Sequence, residues 1–223
     1  MNIAVYTAVA GAYTNIKPIC PQTIPGVEWF AFTEGLEREA GDAGWRHVPL
    51  AHKDLIPRRR AKWYKMHPHL ALPWHEVTIW IDGSIQVTSP MFVGRILEGM
   101  LKNLSSIAMY EHPDWDDIES EADFAAQMPK YAGQRLRGQA AWYRNHGLPH
   151  RYGVWCGGVI ARYNYSQYVR DMMDVWWAEM DWSLEDQISF PYASWKVGHK
   201  PSTITAGTLT DNPYFTYQCR SDR

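Results

Sequence analysis

The sequence predicts an α/β protein, a mostly parallel central sheet sandwiched between helices. Three observations lead there. The chain has 223 residues, the size of one ordinary domain with a sizeable core. Two stretches, "NIAVYTAV" (2–9) and "VTIWI" (77–81), are nearly continuous apolar runs, as strands covered on both faces require. Strand-like segments then alternate with long helical ones, which leaves room for crossovers between parallel strands.

The first run is rich in β-branched residues and stops at Gly11. "VEWFAFT" (27–33) reads as a second strand and "WRHVPL" (45–50) as a weaker third. "PRRRAKWYKMHPHLAL" (57–72) opens on a proline suited to a first helical turn, and Pro68 ends or kinks the helix. After the 77–81 strand, "MFVGRILEGMLKN" (91–103) carries apolar residues at helical spacing, and "SSIAMY" (105–110) is a short strand. Residues 113–150 are polar, aromatic and mostly helical, a lid-like excursion from the alternation. "WCGGVIARYN" (155–164) is a strand entered through glycines, followed by helices in "SQYVRDMMDVWWAEM" and "LEDQISFPYASWKVG", and the rest reads as tail. No linker or repeat divides residues 1–223, so one domain is expected.

"TIWIDGSIQVT" (78–88) poses a sharper question. Asp82-Gly83 between apolar runs signals a two-residue hairpin turn. That register would pair Ile81 with Ser84 and Ile79 with Gln86, mixing apolar and polar residues on one face, which strand pairing disfavours. The alternative is a central parallel strand that delivers Asp82 to a site at its carboxyl end.

Composition narrows the classes. A net charge of −2 gives no case for nucleic-acid or membrane binding. Twelve Trp and thirteen Tyr fit an aromatic core as well as stacking platforms. Three scattered cysteines form neither a disulfide framework nor a metal pattern, which points to a reducing, cytoplasmic setting. The amino terminus lacks a basic region and reads as a strand rather than a signal peptide, and no apolar stretch has the length of a membrane span.

Several clusters have chemical potential. Arg58, Lys62 and Lys65 fall at i, i+4 and i+7 on one helix face, with Arg59 and Arg60 flanking it, a disposition suited to a diphosphate or to plain solvation. "HPHLALPWH" holds His67, His69 and His75, where H-x-H is a metal-ligand spacing but Pro68 favours capping or packing. "EHPDWDDIESE" groups His112 with Asp114, Asp116, Asp117, Glu119 and Glu121, fit for a general base or for a helix amino terminus. Asp186-Gln187 opens a helix, and His199-Lys200 sits at a turn.

Taken in order, these blocks resemble a glycosyltransferase-like family, first described as a domain of unknown function, found in plant Golgi proteins of the MUCI/TOD type and in bacterial and viral reading frames. "VYTAVAGAY", "FAFTE", "KMHPH" and "IWIDGSI" resemble its successive blocks. "HPDWDDIESEA" retains His112, Pro113, Glu121 and Ala122, and "VIARYN" and "WWAEMDWSLEDQISF" resemble the last two blocks. Trp115, Asp117 and Glu119 replace the family's arginine, cysteine and tyrosine, which suggests a changed acceptor.

The resemblance implies a GT-A type, Rossmann-like nucleotide-binding domain. The implied activity moves a sugar from a nucleoside-diphosphate sugar, a UDP-sugar in the first place, to a glycan or other hydroxyl acceptor on the 113–150 side. It implies Tyr6, Thr7 and Tyr13 near base and ribose, and Arg60, Lys62 and Lys65 facing the diphosphate. Asp82, Gly83 and Ser84 would contact the sugar nucleotide, with Asp82 as a ligand for Mn2+ or Mg2+ and His199 as a further metal ligand. Ser84 stands where many such enzymes carry a second aspartate. Glu121, Arg162, Asp186 and Gln187 would line the sugar and acceptor side, with Glu121, Asp186 and His112 catalytic. Two other readings stay open: a metal-dependent hydrolase built on His67, His69, His112 and the acidic cluster, and a non-catalytic carbohydrate-binding domain.

Overall fold

A computed structural model of the chain describes residues 1–11, 15–35 and 44–218. Along the chain run β1 (Ile3–Val9), β2 (Glu28–Thr33), β3 (Arg46–Pro49), α1 (Pro57–Met66), α2 (Pro68–Ala71), β4 (Val77–Ile81), β5 (Ile85–Val87) and α3 (Phe92–Lys102). Then follow β6 (Ile107–Glu111), α4 (Ile118–Ala125), α5 (Leu136–Asn145), β7 (Trp155–Tyr163), α6 (Gln167–Glu179), α7 (Asp186–Val197), β8 (Ser202–Thr203) and β9 (Phe215–Tyr217).

Seven strands form one sheet in the order β3-β2-β1-β4-β7-β6-β8. Strands β3, β2, β1 and β4 are mutually parallel, and β8 is parallel to β6. Only β7 runs against its neighbours. The chain leaves β1 towards β2 and β3, but leaves β4 towards the other edge. The carboxyl ends of β1 and β4 therefore flank a topological switch point, where open α/β sheets bind ligands.

Both faces of the sheet are covered, which is why its central strands are apolar throughout. All five residues of β4 and all seven of β1 are buried. Val5, Ile79 and Ile81 pack on Phe92, Val93 and Ile96 of α3. Tyr6, Trp80 and Ile160 face the other way, with Tyr64 and Met66 of α1, Trp176 of α6 and Phe190 of α7. Burying one such side chain contributes roughly 1.5–3 kcal/mol. Within 113–150, α4 and α5 build a separate cluster, with Ile118, Ala122, Leu136 and Tyr143 against Ile188 and Tyr192 of α7.

The hairpin that strand pairing disfavours does not form. Ile85 N donates to Asp82 O at 2.9 Å, closing a tight turn, but the chain then leaves β4. β5 pairs instead with β9, antiparallel, from Ile85↔Tyr217 to Val87↔Phe215. The last segment is accordingly not a bare tail: it supplies β8 to the main sheet and β9 to this ribbon. Pro68 divides the 57–72 helix, ending α1 at Met66 and opening the one-turn α2.

Candidate active site

Asp82 follows β4 at the switch point, its N–H donating to Gly158 O of β7 at 2.8 Å. Helix α1 crosses the same end and brings Lys62 and Lys65, one turn apart, onto one carboxylate. Lys62 Nζ lies 2.8 Å from Asp186 Oδ2, and Lys65 Nζ bonds the same oxygen. Lys65 Nζ also stands 3.7 Å from Asp82 Oδ1, which accepts the Trp80 indole N–H at 2.7 Å. Asp186 is the first residue of α7, and its carbonyl accepts the Trp176 indole N–H at 3.1 Å.

The cluster is nearly dry: the side chains of Lys65, Asp186 and Lys62 are 4%, 10% and 12% exposed. Burial opposes the charge on Asp186, but the two ammoniums prevail and hold its carboxyl well below the usual carboxylate range. Burial likewise opposes the charge on Lys65, yet Asp186 and Asp82 raise it. Lys62 is lowered by burial, with Lys65 repelling it and Asp186 opposing the shift.

Beside this lies a second carboxylate group. Glu121 of α4 accepts from Gln187 Nε2 at 2.9 Å on one oxygen and from the Trp115 indole at 2.9 Å on the other. His112 Nε2 sits 3.7 Å from that second oxygen, its ring stacked on Trp115. Burial raises Glu121, despite these hydrogen bonds, and lowers His112, which favours a neutral imidazole at pH 7.

The structure thus gathers Lys62, Lys65, Asp82, Glu121, Asp186, Gln187 and His112 at one end of the sheet. Other residues with expected roles stand elsewhere. Tyr6 is fully buried beneath α1, donating to Tyr64 O at 3.2 Å, so it is no base platform. Arg162, also fully buried, donates to Lys65 O at 2.5 Å and to Tyr6 Oη; it supports the last turn of α1 and lines no sugar pocket. Arg60 donates to Ala51 O at 2.5 Å, to Leu50 O, and to Glu34 Oε1 at 3.0 Å, tying the ends of β2 and β3 together. Thr7 is buried with its hydroxyl unpartnered, Gly83 and Ser84 form the turn after Asp82, and Tyr13 lies outside the described residues.

His199 cannot join Asp82 on one metal. It meets Ser106 Oγ at 3.1 Å, just before β6, and β6 begins level with the start of β4 across β7. Asp82 lies at the opposite end. Among the described residues no group of three or more His, Cys, Asp or Glu side chains gathers as a metal site. His67 stacks on Trp63 and meets Trp177, whereas His112 stacks on Trp115, so the hydrolase constellation is not assembled among the described residues.

Two contributors escaped the sequence reading. Glu185 caps α7, accepting from Gln187 N at 3.1 Å. Gly157 leaves room for the lysine: a Cβ there would lie 2.6 Å from Lys65 Nζ. A glycine pair inside a strand signals close approach by another group and was the available clue.

Fold and site together define a Rossmann-like α/β protein with lysines and carboxylates converging at its switch point. Residues 37–208, more than half of the chain, match the family described as TOD1/MUCI70, glycosyltransferase-like domain, and the chain belongs to that family. The match takes in the "IWIDGSI", "HPDWDDIESEA" and "DQISF" blocks, whereas "VYTAVAGAY" and "FAFTE" precede it. No curated protein matches the sequence. No helix among the described residues is long and apolar enough to cross a membrane.

Proposed function

We propose that the protein transfers a sugar from a nucleoside-diphosphate sugar, a UDP-sugar in the first place, to an acceptor hydroxyl. The observation that carries this is the pair of buried ammoniums, Lys62 and Lys65, converging at the switch point beside the amino terminus of α7. A buried, preorganised cation pair and a helix amino terminus stabilise charge developing on a leaving diphosphate.

In this reading the acceptor oxygen attacks the anomeric carbon as the bond from that carbon to the diphosphate oxygen breaks. The electron pair stays on the diphosphate, which Lys62 and Lys65 neutralise. The acceptor proton passes to Glu121, whose raised affinity for protons suits a general base near neutral pH, with His112 behind it. Asp186, held ionised, is the wrong group to take that proton; it orients the two lysines until the diphosphate competes for them. Asp82, whose Oδ1 accepts from Trp80 and whose side chain is 38% exposed, offers its carboxylate to a donor hydroxyl. Helices α4 and α5 frame the acceptor side, since Glu121 and Trp115 come from 113–150.

The test is release of nucleoside diphosphate from a panel of sugar nucleotides, each offered with glycan acceptors. Glu121→Gln is expected to lower transfer about 10²–10⁴-fold with little change in donor binding. Full activity in that variant, or glycan binding without turnover of any donor, contradicts the proposal.

A further inference from the structure

Resting on that donor-site reading, we infer that the site works without a divalent cation, because Lys65 stands where the cation would act. Its ammonium bridges Asp82 and Asp186, the two carboxylates nearest the switch point that a metal would need. The usual partner is missing as well: Ser84 follows Gly83 in place of a second aspartate, and His199 is at the other end of the sheet. What remains is one aspartate, with one oxygen already accepting from Trp80 and an ammonium beside it. A hard cation that prefers several oxygen ligands finds a poor set there, and like charge repels it.

The lysine is built in rather than left over. Gly157 of β7 has no Cβ, and one placed there would come within 2.6 Å of Nζ and 3.3 Å of Asp186 Oδ2. The rings of Trp80 and Trp176 each lie 5.8 Å from Nζ, so the ammonium sits between two aromatic faces. Those same indoles donate to Asp82 Oδ1 and to Asp186 O, which fixes the carboxylate frame around it. Below, Arg162 and Tyr6 bond the carbonyl of Lys65 itself, holding the backbone from which the side chain rises. Lys62 supplies the second charge one turn earlier. Two positive charges with fixed geometry perform the electrostatic work of one divalent ion.

The experiment is a thermal-shift series on the whole chain, treated with EDTA, using UDP, GDP, CDP and ADP, then repeated with Mn2+ or Mg2+ in place of the chelator. We expect one nucleotide, at about a hundred times its dissociation constant, to raise the midpoint by roughly 5–10 °C, equally in EDTA and in metal. Lys65→Ala, checked for native circular dichroism, should lose that shift in EDTA. Should this variant fail to fold, Gly157→Ala, which displaces Nζ without removing a charge, should weaken the shift; the EDTA comparison needs no variant at all. A shift seen only with metal overturns the inference while leaving the donor site standing. No shift with any nucleotide, with or without metal, overturns both. A folded Lys65→Ala that keeps the wild-type shift in EDTA overturns the role given to Lys65.

Discussion

Glu185 shows how tightly this site is wired at the level of single groups. Burial, then the neighbouring Asp186 and Glu121, pushes its carboxyl from an ordinary 4.5 up to about 8. The folded protein therefore keeps a proton that the unfolded chain gives up above about 4.5. This group makes stability fall as pH rises from about 4.5 to about 8, and the loss levels off beyond. Glu185→Gln should flatten that slope, so its melting temperature should drop less than the wild type's across the window; parallel curves would contradict the assignment. Glu185 and Gly157 were not legible in the sequence as site residues, and the reason is physical. A cap and a missing Cβ matter only for what another segment places beside them, here Gln187 N and Lys65 Nζ. Asp82, Lys65 and Asp186 were legible because charge at a strand end, a helix face and a helix start is local pattern.

At the level of elements, α1 is held at both ends by arginines that the sequence suggested would meet ligand. Arg60 clips its start to the loop after β3, and Arg162 with Tyr6 secures its end. Long basic side chains on one helix look equivalent in sequence, and only packing tells which ones are spent on carbonyls. Tyr6→Phe removes the hydroxyl that donates to Tyr64 O and accepts from Arg162, leaving a buried guanidinium short of a partner. The expected cost is about 1–3 kcal/mol in urea unfolding. An unchanged midpoint would mean that the guanidinium finds a substitute. The strands β8 and β9 went unread because each is two or three residues long, and their partners, β6 and β5, lie about 94 and about 130 residues away in the chain. The strand ending at Asp82 was read correctly, since a continuous apolar run fits a strand covered on both faces and the hairpin register would have mixed its faces.

At the level of the whole molecule, strand order does most to create the site. Reversal of connection between β1 and β4 creates a switch point, α1 brings lysines to it, α7 brings Asp186, and 113–150 sets Glu121 at its side. The alternation of strands and helices forecast the sheet, and the order of motifs forecast the family. Neither placed Arg162 or His199, because which end of the sheet a residue reaches depends on β7 running against its neighbours. The most direct test is a calorimetric titration of nucleoside diphosphates, beginning with UDP, into the wild type and Lys62→Ala. One saturable site, weakened more than about tenfold in the variant, is the predicted result. Binding of equal strength in both, or no binding of any nucleoside diphosphate, would contradict the placement of the donor at the Lys62–Asp186–Lys65 cluster.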